Sequence, residues 1–464
     1  MNIEIWRFNY YNLLKEIKMF KRKVYSELLK WKKESNGKSA ILLEGARRVG
    51  KSTIAINFGQ NEYKSFILID FSKVKKEIVS IFDDIENLDL FFIKLQALTN
   101  KTLYLRDSLI IFDEVQLFPK ARQAIKHLVK DGRYDYLETG SLISINKNVD
   151  KILIPSEERK IEVFPLDYEE FCNAINYNYS SLKTLYDYHN SIGEITNRTL
   201  LKTFRLYIAI GGMPQAIEAY LNKNNFNQID QIKKNIIELY KEDLKKIDKS
   251  GRLSIMYESI PAQLVSNKNK FSFGYGLGKK SLKDNERLFD LLDSKIVNIC
   301  YNLTDISPSL SMFTDFTKFK LYVADTGLFV TMLFNSDNKD HQDIYNKLLS
   351  DKLNLNLGYL YENVISQMII SSNRKLYYYS YQKENSTHKY EIDFLLSNKN
   401  KVIPLEIKSN KINSHKSIDD FSIKYSKFIS SKYLISSKDY FKDKDLINIP
   451  FYLFPFLLDD INSN

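Results

Sequence analysis

The sequence predicts an α/β fold: a parallel sheet covered by helices, then a helical stretch and a second, smaller α/β unit. Three observations carry this. The apolar run Ala40-Ile-Leu-Leu43 leads into Gly45-Ala46-Arg47-Arg48-Val49-Gly50-Lys51-Ser52-Thr53, and the stretch from Thr53 to Phe58 continues as a helix. The run Leu109-Ile-Ile-Phe112 ends in Asp113-Glu114, as a central strand buried on both faces would. Far downstream, Glu391-Ile-Asp393-Phe-Leu-Leu396 and Val402-Ile-Pro-Leu405-Glu406-Ile-Lys408 flank a polar turn and read as a hairpin.

The first motif is a complete G-x-x-x-x-G-K-[ST] phosphate-binding loop in the strand–loop–helix context that such a loop needs. Gly45 and Gly50 let the backbone turn, so that successive N–H groups converge on phosphate oxygens. The helix N-terminus adds partial positive charge. Lys51 is placed to reach the β- and γ-phosphates, and the Ser52 hydroxyl to join the shell of Mg²⁺. An ordinary glycine turn with a nearby lysine is the bland reading. The acidic strand displaces it, because ligands in open α/β sheets bind at the carboxyl edge of the strands. There Asp113 would hold Mg²⁺, and Glu114 would orient and deprotonate the water that attacks the γ-phosphate. ATP hydrolysis is the expected chemistry, with Lys51, Asp113 and Glu114 as its catalytic residues.

Composition narrows the class. With 464 residues, the chain is long enough for roughly two to four domains. Apolar residues make up 44% and aromatics 13%, which is ample core material and argues against disorder. Cys172 and Cys300 form no C-x-x-C and the five histidines no ligand pair, so neither a disulfide framework nor a zinc ribbon is expected. A reducing, cytoplasmic setting fits. Met1 to Lys18 lacks the apolar core of a signal peptide. Ile449 to Leu458 is short and interrupted by Pro450 and Pro455, so no membrane span is expected. The net charge of +11 supports nucleic-acid contact only weakly, because the chain is crowded with Lys, Asn, Ile and Tyr, whose codons are A/T-rich.

In order, the pattern gives an N-terminal helical segment (1–35), a nucleotide-binding core (36–165), a helical lid (166–247), a unit of helix, loop, helix and hairpin (248–330) and a carboxyl-terminal unit (331–464). Within the core, Phe66–Ile69 is a strand, Leu88–Leu98 a helix, and Tyr134–Leu137 a strand ending in Glu138-Thr139-Gly140-Ser141. Thr139 and Ser141 are candidate γ-phosphate sensors; a plain β-turn explains either equally well. Arg159 is a candidate for stabilising transition-state charge, in its own chain or a neighbour's, against the commoner role of a surface charge. Gly211-Gly212-Met213-Pro214 is a helix-breaking corner within the lid. The order of elements in 248–330 is that of a winged helix, which serves DNA binding or plain packing.

If the carboxyl-terminal hairpin is symmetric, Asp393 faces Glu406 and Glu391 faces Lys408, all on one side of the sheet. Opposed carboxylates repel unless a cation sits between them. Mg²⁺ or Mn²⁺ would resolve the conflict, with Glu362 of the helical run 359–365 as a third ligand and Lys408 orienting a water. A solvated hairpin face with Glu–Lys pairing is the alternative, and the residues alone leave both open.

Together these motifs resemble a bacterial and archaeal family of AAA-type P-loop ATPases. In that family a winged-helix segment and a C-terminal domain similar to PD-(D/E)XK nucleases follow the core. The resemblance runs from about residue 19 to the end. It is carried by the phosphate loop, Ile-Phe-Asp113-Glu114-Val-Gln, Thr-Gly-Ser at 139–141, Phe-Pro-Leu at 164–166, Gly-Gly-Met-Pro at 211–214, Ala-Asp-Thr-Gly-Leu at 324–328 and both hairpin strands. It implies a P-loop NTPase core with a helical lid, a winged helix and a restriction-endonuclease-like α/β domain. It also makes Pro214 a candidate adenine contact, and Glu362, Asp393, Glu406 and Lys408 a complete nuclease-like set. Glu158 stands where family members carry glycine before Arg159. The implied function is an ATPase coupled to DNA or RNA processing. The alternative is an ATP-dependent conformational switch or scaffold for a protein partner, with a non-cleaving terminal domain. Such ATPases often assemble so that one subunit completes another's site.

Overall fold

The structure, a computed structural model, describes residues 20–140, 156–266, 270–334, 341–353, 357–382, 389–409 and 415–463. Helix α1 (Lys23–Ser35) leads into β1 (Ala40–Glu44), the phosphate loop, α2 (Lys51–Glu62), β2 (Ser65–Asp70), α3 (Leu88–Thr99), β3 (Ser108–Asp113), α4 (Pro119–Asp131), β4 (Asp135–Thr139) and β5 (Glu158–Glu162). The five strands form a parallel sheet in the order β2-β3-β4-β1-β5. Every residue of β1, β3 and β4 is buried, and β1 and β3 accordingly read as near-continuous apolar runs. Leu28, Trp31 and Phe58 of α1 and α2 pack with Ile41, Leu43 and Ile111 on one face. Phe91, Leu95, Ile125 and Leu128 of α3 and α4 cover Leu42, Ile110 and Phe112 on the other. Both sequence motifs therefore emerge at the same carboxyl edge.

After two short helices (Tyr168–Ala174 and Tyr179–Tyr188), the lid is built from α5 (Glu194–Ile210), α6 (Pro214–Leu221) and α7 (Phe226–Ile247). The Gly211–Gly212 corner between α5 and α6 is a point of close approach. A Cβ on Gly211 would lie 2.4 Å from Asp325 Oδ1, and one on Gly212 2.2 Å from the Leu166 carbonyl oxygen. No side chain fits at either position. Asp325 Oδ2 accepts the Gly212 N–H at 2.5 Å, while its Oδ1 accepts the Leu328 N–H at 2.9 Å.

Helices Arg252–Glu258, Ile260–Val265 and α8 (Asp284–Asp293) precede the antiparallel pair β6 (Val297–Leu303) and β7 (Thr314–Val323). This is the expected order of elements, but the hairpin is not a free wing. Strand β6 also pairs, in parallel, with β8 (Leu376–Gln382), and β8 with β9 (Lys389–Ile392), giving the sheet β7-β6-β8-β9. The boundary expected at 330 thus divides one sheet. Nor is α8 a basic reading helix. Its one cation, Arg287, is held by Asp248 and Asp284 at 3.0 Å each, and its exposed positions are Asn285, Glu286 and Phe289.

Helices α9 (Thr326–Leu333) and α10 (Gly358–Ser371) lie between β7 and β8. The last sheet has the order β10-β11-β12-β14-β13, with β10 at Phe394–Asn398, β11 at Lys401–Lys408, β12 at Lys432–Ser436, β13 at Phe441–Asp443 and β14 at Leu446–Pro450. The hairpin has the expected register, from Phe394 opposite Leu405 to Asn398 opposite Lys401. It breaks at Asp393, however. The Asp393 carboxylate accepts the Ile407 N–H at 2.7 Å, while Glu391 pairs with Ser380 in the other sheet. Glu391 and Lys408 are therefore not cross-strand partners. Among the described residues, no helix is long and apolar enough to cross a membrane.

Replacing Asp325 by alanine removes the cap of α9 and leaves the buried Gly212 amide without an acceptor. We expect a loss of about 2–4 kcal/mol, read as a lowered urea midpoint for the transition that reports on the lid.

Candidate functional site

The phosphate loop bends through left-handed backbone at Arg48 (φ 71°) and Gly50 (φ 100°). A Cβ on Gly45 would lie 2.3 Å from the Val163 carbonyl oxygen, so the loop's first glycine is required by packing against the residue after β5. Ala46 and Val49 are buried in the core beneath the loop, whereas Arg47 and Arg48 are exposed. Lys51, at the start of α2, is 8% exposed and donates to the Gly45 and Ala46 carbonyls at 2.9 Å each. Burial lowers its pKa to about 8, against the opposing pull of Glu114 and Asp113.

Ser52 Oγ donates to Asp113 Oδ1 at 2.7 Å, and the Thr139 hydroxyl donates to the same oxygen. Three separate elements (α2, β3 and β4) thus converge on one carboxylate oxygen. Glu114 follows in left-handed backbone (φ 56°), which is uncommon for a glutamate. Its N–H is 3.4 Å from Thr139 Oγ1, and its carboxylate is held by the Gln116 amide. A hydroxyl and a carboxylate meeting at the end of a phosphate loop suit Mg²⁺, a hard cation that keeps few protein ligands. The donor set fits nucleotide and metal together.

The cleft over the loop has a volume of about 560 Å³, and its lining includes Phe20, Arg22, Lys51, Thr53, Glu114 and Pro214. That size suits a nucleotide. Pro214 enters because the glycine corner aims α6 at the loop: its Cγ lies 3.7 Å from the position of a Cβ on Gly50. Arg22 bonds the Val49 and Phe164 carbonyls at 3.0 and 2.6 Å and pairs with Glu170 at 3.2 Å. Its part in the cleft had no signal in the sequence beyond its place before a helix.

Two expected positions stand apart. Ser141 lies outside the described residues. Arg159 sits at the amino end of β5, opposite Ile41, exposed and close enough to Glu27 of α1 to influence its charge. Parallel strands put that end of the sheet away from the loop, so Arg159 does not reach the cleft of its own chain. The preceding Glu158 is engaged elsewhere, in a two-point pair with Arg122 of α4 at 2.8 and 2.7 Å. The carboxyl of Glu138, pushed well up by burial and by Glu158, lies beside this pair.

At the other end of the chain, Asp393 lies within electrostatic reach of Glu362 and Glu406, and Glu362 and Asp393 also face an unforeseen partner. Lys320 of β7, 6% exposed, contacts Glu391 Oε1 and lies 3.8 Å from Glu362 Oε2. Burial opposes its charge; Glu362, Glu391 and Asp393 more than offset this and hold the ammonium well above its ordinary value. Asp393 is pushed well up by burial, Glu362 and Glu406. Lys408 pairs with Glu406 of its own strand. Among the described residues, no group of three acidic, histidine or cysteine side chains could hold a metal ion. A pattern search could not have found Lys320, because nothing in 314–323 marks one lysine from the next.

A family model described as an AAA domain matches residues 37–172, and two described as domains of unknown function (DUF8612 and DUF4143) match 201–339 and 357–453. No curated protein matches the chain. Solved structures that match include PCH-2 of C. elegans, at 16% identity over 37% of this chain and 48% of that one, with a TM-score of 0.20. The chain thus spans about half the length of PCH-2. Cdc6p of Pyrobaculum aerophilum matches at 12% identity over 74% of this chain and 98% of that one (TM-score 0.23). A STAND signal-transduction ATPase of Pyrococcus horikoshii, with a tetratricopeptide repeat sensor, matches at 14% identity over 77% and 50% (TM-score 0.27). Agreement between the matched span and the geometry of the loop and Asp113 identifies residues 37–172 as an AAA-type P-loop ATPase domain.

Proposed function

We propose that the chain hydrolyses ATP with Mg²⁺ and uses turnover to shift its lid and carboxyl-terminal part, as a switch for a protein partner in the cytoplasm. The observation that carries the reading is the convergence of Ser52 and Thr139 on Asp113, beside Lys51 and Glu114. In this reading Lys51 exchanges its two loop carbonyls for the β- and γ-phosphates. Ser52 and Asp113 hold Mg²⁺, which neutralises phosphate charge when bound. Glu114 takes the proton of the attacking water, and Thr139 keeps Asp113 aimed. Pro214 and Phe20 flank the base.

The switch reading is supported by what touches the corner next to Pro214. Gly212 bonds Asp325, and the neighbouring Thr326 N–H and hydroxyl bond Gln367 of α10 at 2.9 and 2.8 Å. Gln367 in turn donates to the Tyr207 hydroxyl of α5 at 3.0 Å. A lid movement at Pro214 is thereby presented to the helix that carries Glu362.

A second reading, coupling to DNA or RNA through contacts of the terminal domain that need no metal there, is favoured by the chain's net charge of +11. It predicts salt-dependent affinity for nucleic acid, which a titration at two ionic strengths measures. Assembly into an oligomer would give the exposed Arg159 a role at a neighbour's cleft.

Lys51→Ala should abolish nucleotide binding in a fluorescent-nucleotide titration. Glu114→Gln should bind ATP normally yet release no phosphate in a steady-state assay; unchanged hydrolysis would remove Glu114 as the base. Thr139→Val should lower kcat by about tenfold, the weight of one hydrogen bond to a charged group, while leaving metal-free nucleotide affinity in place.

A further inference from the structure

The terminal carboxylates form a finished cage around a cation that the chain supplies itself. Lys320 reaches from β7 over the ring of Tyr378, 5.2 Å from its centroid, to Glu391 and Glu362. Carboxylates and an aromatic face are the two environments that stabilise a buried ammonium. The acids are also committed elsewhere. Tyr322 donates to Glu362 Oε2 at 3.0 Å, the Ile407 N–H to Asp393 Oδ2 at 2.7 Å, and Lys408 Nζ to Glu406 Oε1. One oxygen beside the cage, Oε2 of the Glu406 that acts on Asp393, is buried without a hydrogen-bond partner.

A single orphan oxygen does not make a divalent site. Mg²⁺ and Mn²⁺ need near-octahedral oxygen shells, and one placed among these acids would stand against a buried ammonium in a medium that screens poorly. Removing Lys320 would reverse this: three or four acids would then face one another with only Lys408 to balance them.

We propose that the Lys320 ammonium is the resident cation of this cluster, standing where a divalent metal would, so that the carboxyl-terminal part binds no divalent metal and cuts no nucleic acid. Lys320 then acts as an ionic lock between the β6–β7 hairpin and the strands that follow, independent of metal supply. The inference does not depend on ATP turnover, so failure of either leaves the other standing.

The test is a Mn²⁺ titration of the full chain without nucleotide, followed by electron paramagnetic resonance. Wild type and Asp393→Asn should bind Mn²⁺ alike, because no ion reaches the cage. Lys320→Met should bind at least about tenfold more tightly than wild type once the repelling charge is gone, and Lys320→Met/Asp393→Asn should lose that gain. Wild-type binding that Asp393→Asn abolishes would overturn the proposal. So would a folded Lys320→Met with no gain, or Mn²⁺-dependent cleavage of DNA or RNA by wild type that Asp393→Asn removes. Should Lys320→Met fail to fold, the comparison of wild type with Asp393→Asn, by binding and by cleavage, decides alone.

Discussion

One buried carboxylate ties the lid corner to the segment that follows β7. Asp325 is 1% exposed and receives the N–H groups of Gly212 and Leu328, so one side chain closes the lid corner and starts α9. Burial pushes its pKa up, while the amides and Lys233 pull it down. A buried acid is tolerable only when its oxygens are satisfied, and here that satisfaction fixes the approach of two backbones. Gly211, Gly212 and Gly327 follow as consequences, since a Cβ at any of them would meet atoms at 2.2–2.4 Å. The aim of Pro214 at the phosphate loop is set by the same packing.

Three buried lysines show how environment gives one residue type different roles. Lys51 has only carbonyl oxygens for partners, and burial lowers its pKa to about 8. An ammonium so weakly compensated gains by exchanging carbonyls for phosphate. Lys233 is similar, bonded to the Ala209 carbonyl at 2.7 Å and the Tyr345 hydroxyl at 2.6 Å, with its pKa lowered to about 8 by burial. Lys320 stands among carboxylates and is held charged. The first is poised for an incoming anion, whereas the last is already neutralised and has little to gain from any ligand.

What could be read from the sequence was whatever obeys local rules. The phosphate loop and the acidic strand are each a contiguous motif at a strand's carboxyl end, so their placement at one sheet edge follows from parallel pairing alone. The β10–β11 register follows from loop symmetry. What escaped needed contacts between distant segments. Lys320 meets Glu391 across seventy-one residues, and no period or spacing connects them. The break at Asp393 escaped because alternation continues through it, although the side chain has turned to the Ile407 amide. Arg159 looked plausible by order along the chain, yet strand direction places it at the far end of the sheet. The wing expected at β6–β7 was drawn correctly as a hairpin, but its free edge is taken by β8.

The lid is joined to the nucleotide loop as well as to the rest of the chain. The Arg47 carbonyl accepts the Tyr240 hydroxyl at 2.7 Å, and its guanidinium pairs with Asp243 at 3.0 Å, both from α7. The ion pair is half-exposed and worth little alone. The buried-side hydrogen bond holds the loop's shape, and the two together make the posture of α7 and the conformation of residues 45–50 one variable. Helix α7 also carries Lys233, which reaches the Gly327 carbonyl beside Asp325. The loop is therefore connected to the α9 junction by two sets of contacts, through α6 and through α7. Both end on the same three residues, 325–327, so this junction is where the packing of the phosphate loop and of the lid meets the remainder of the chain.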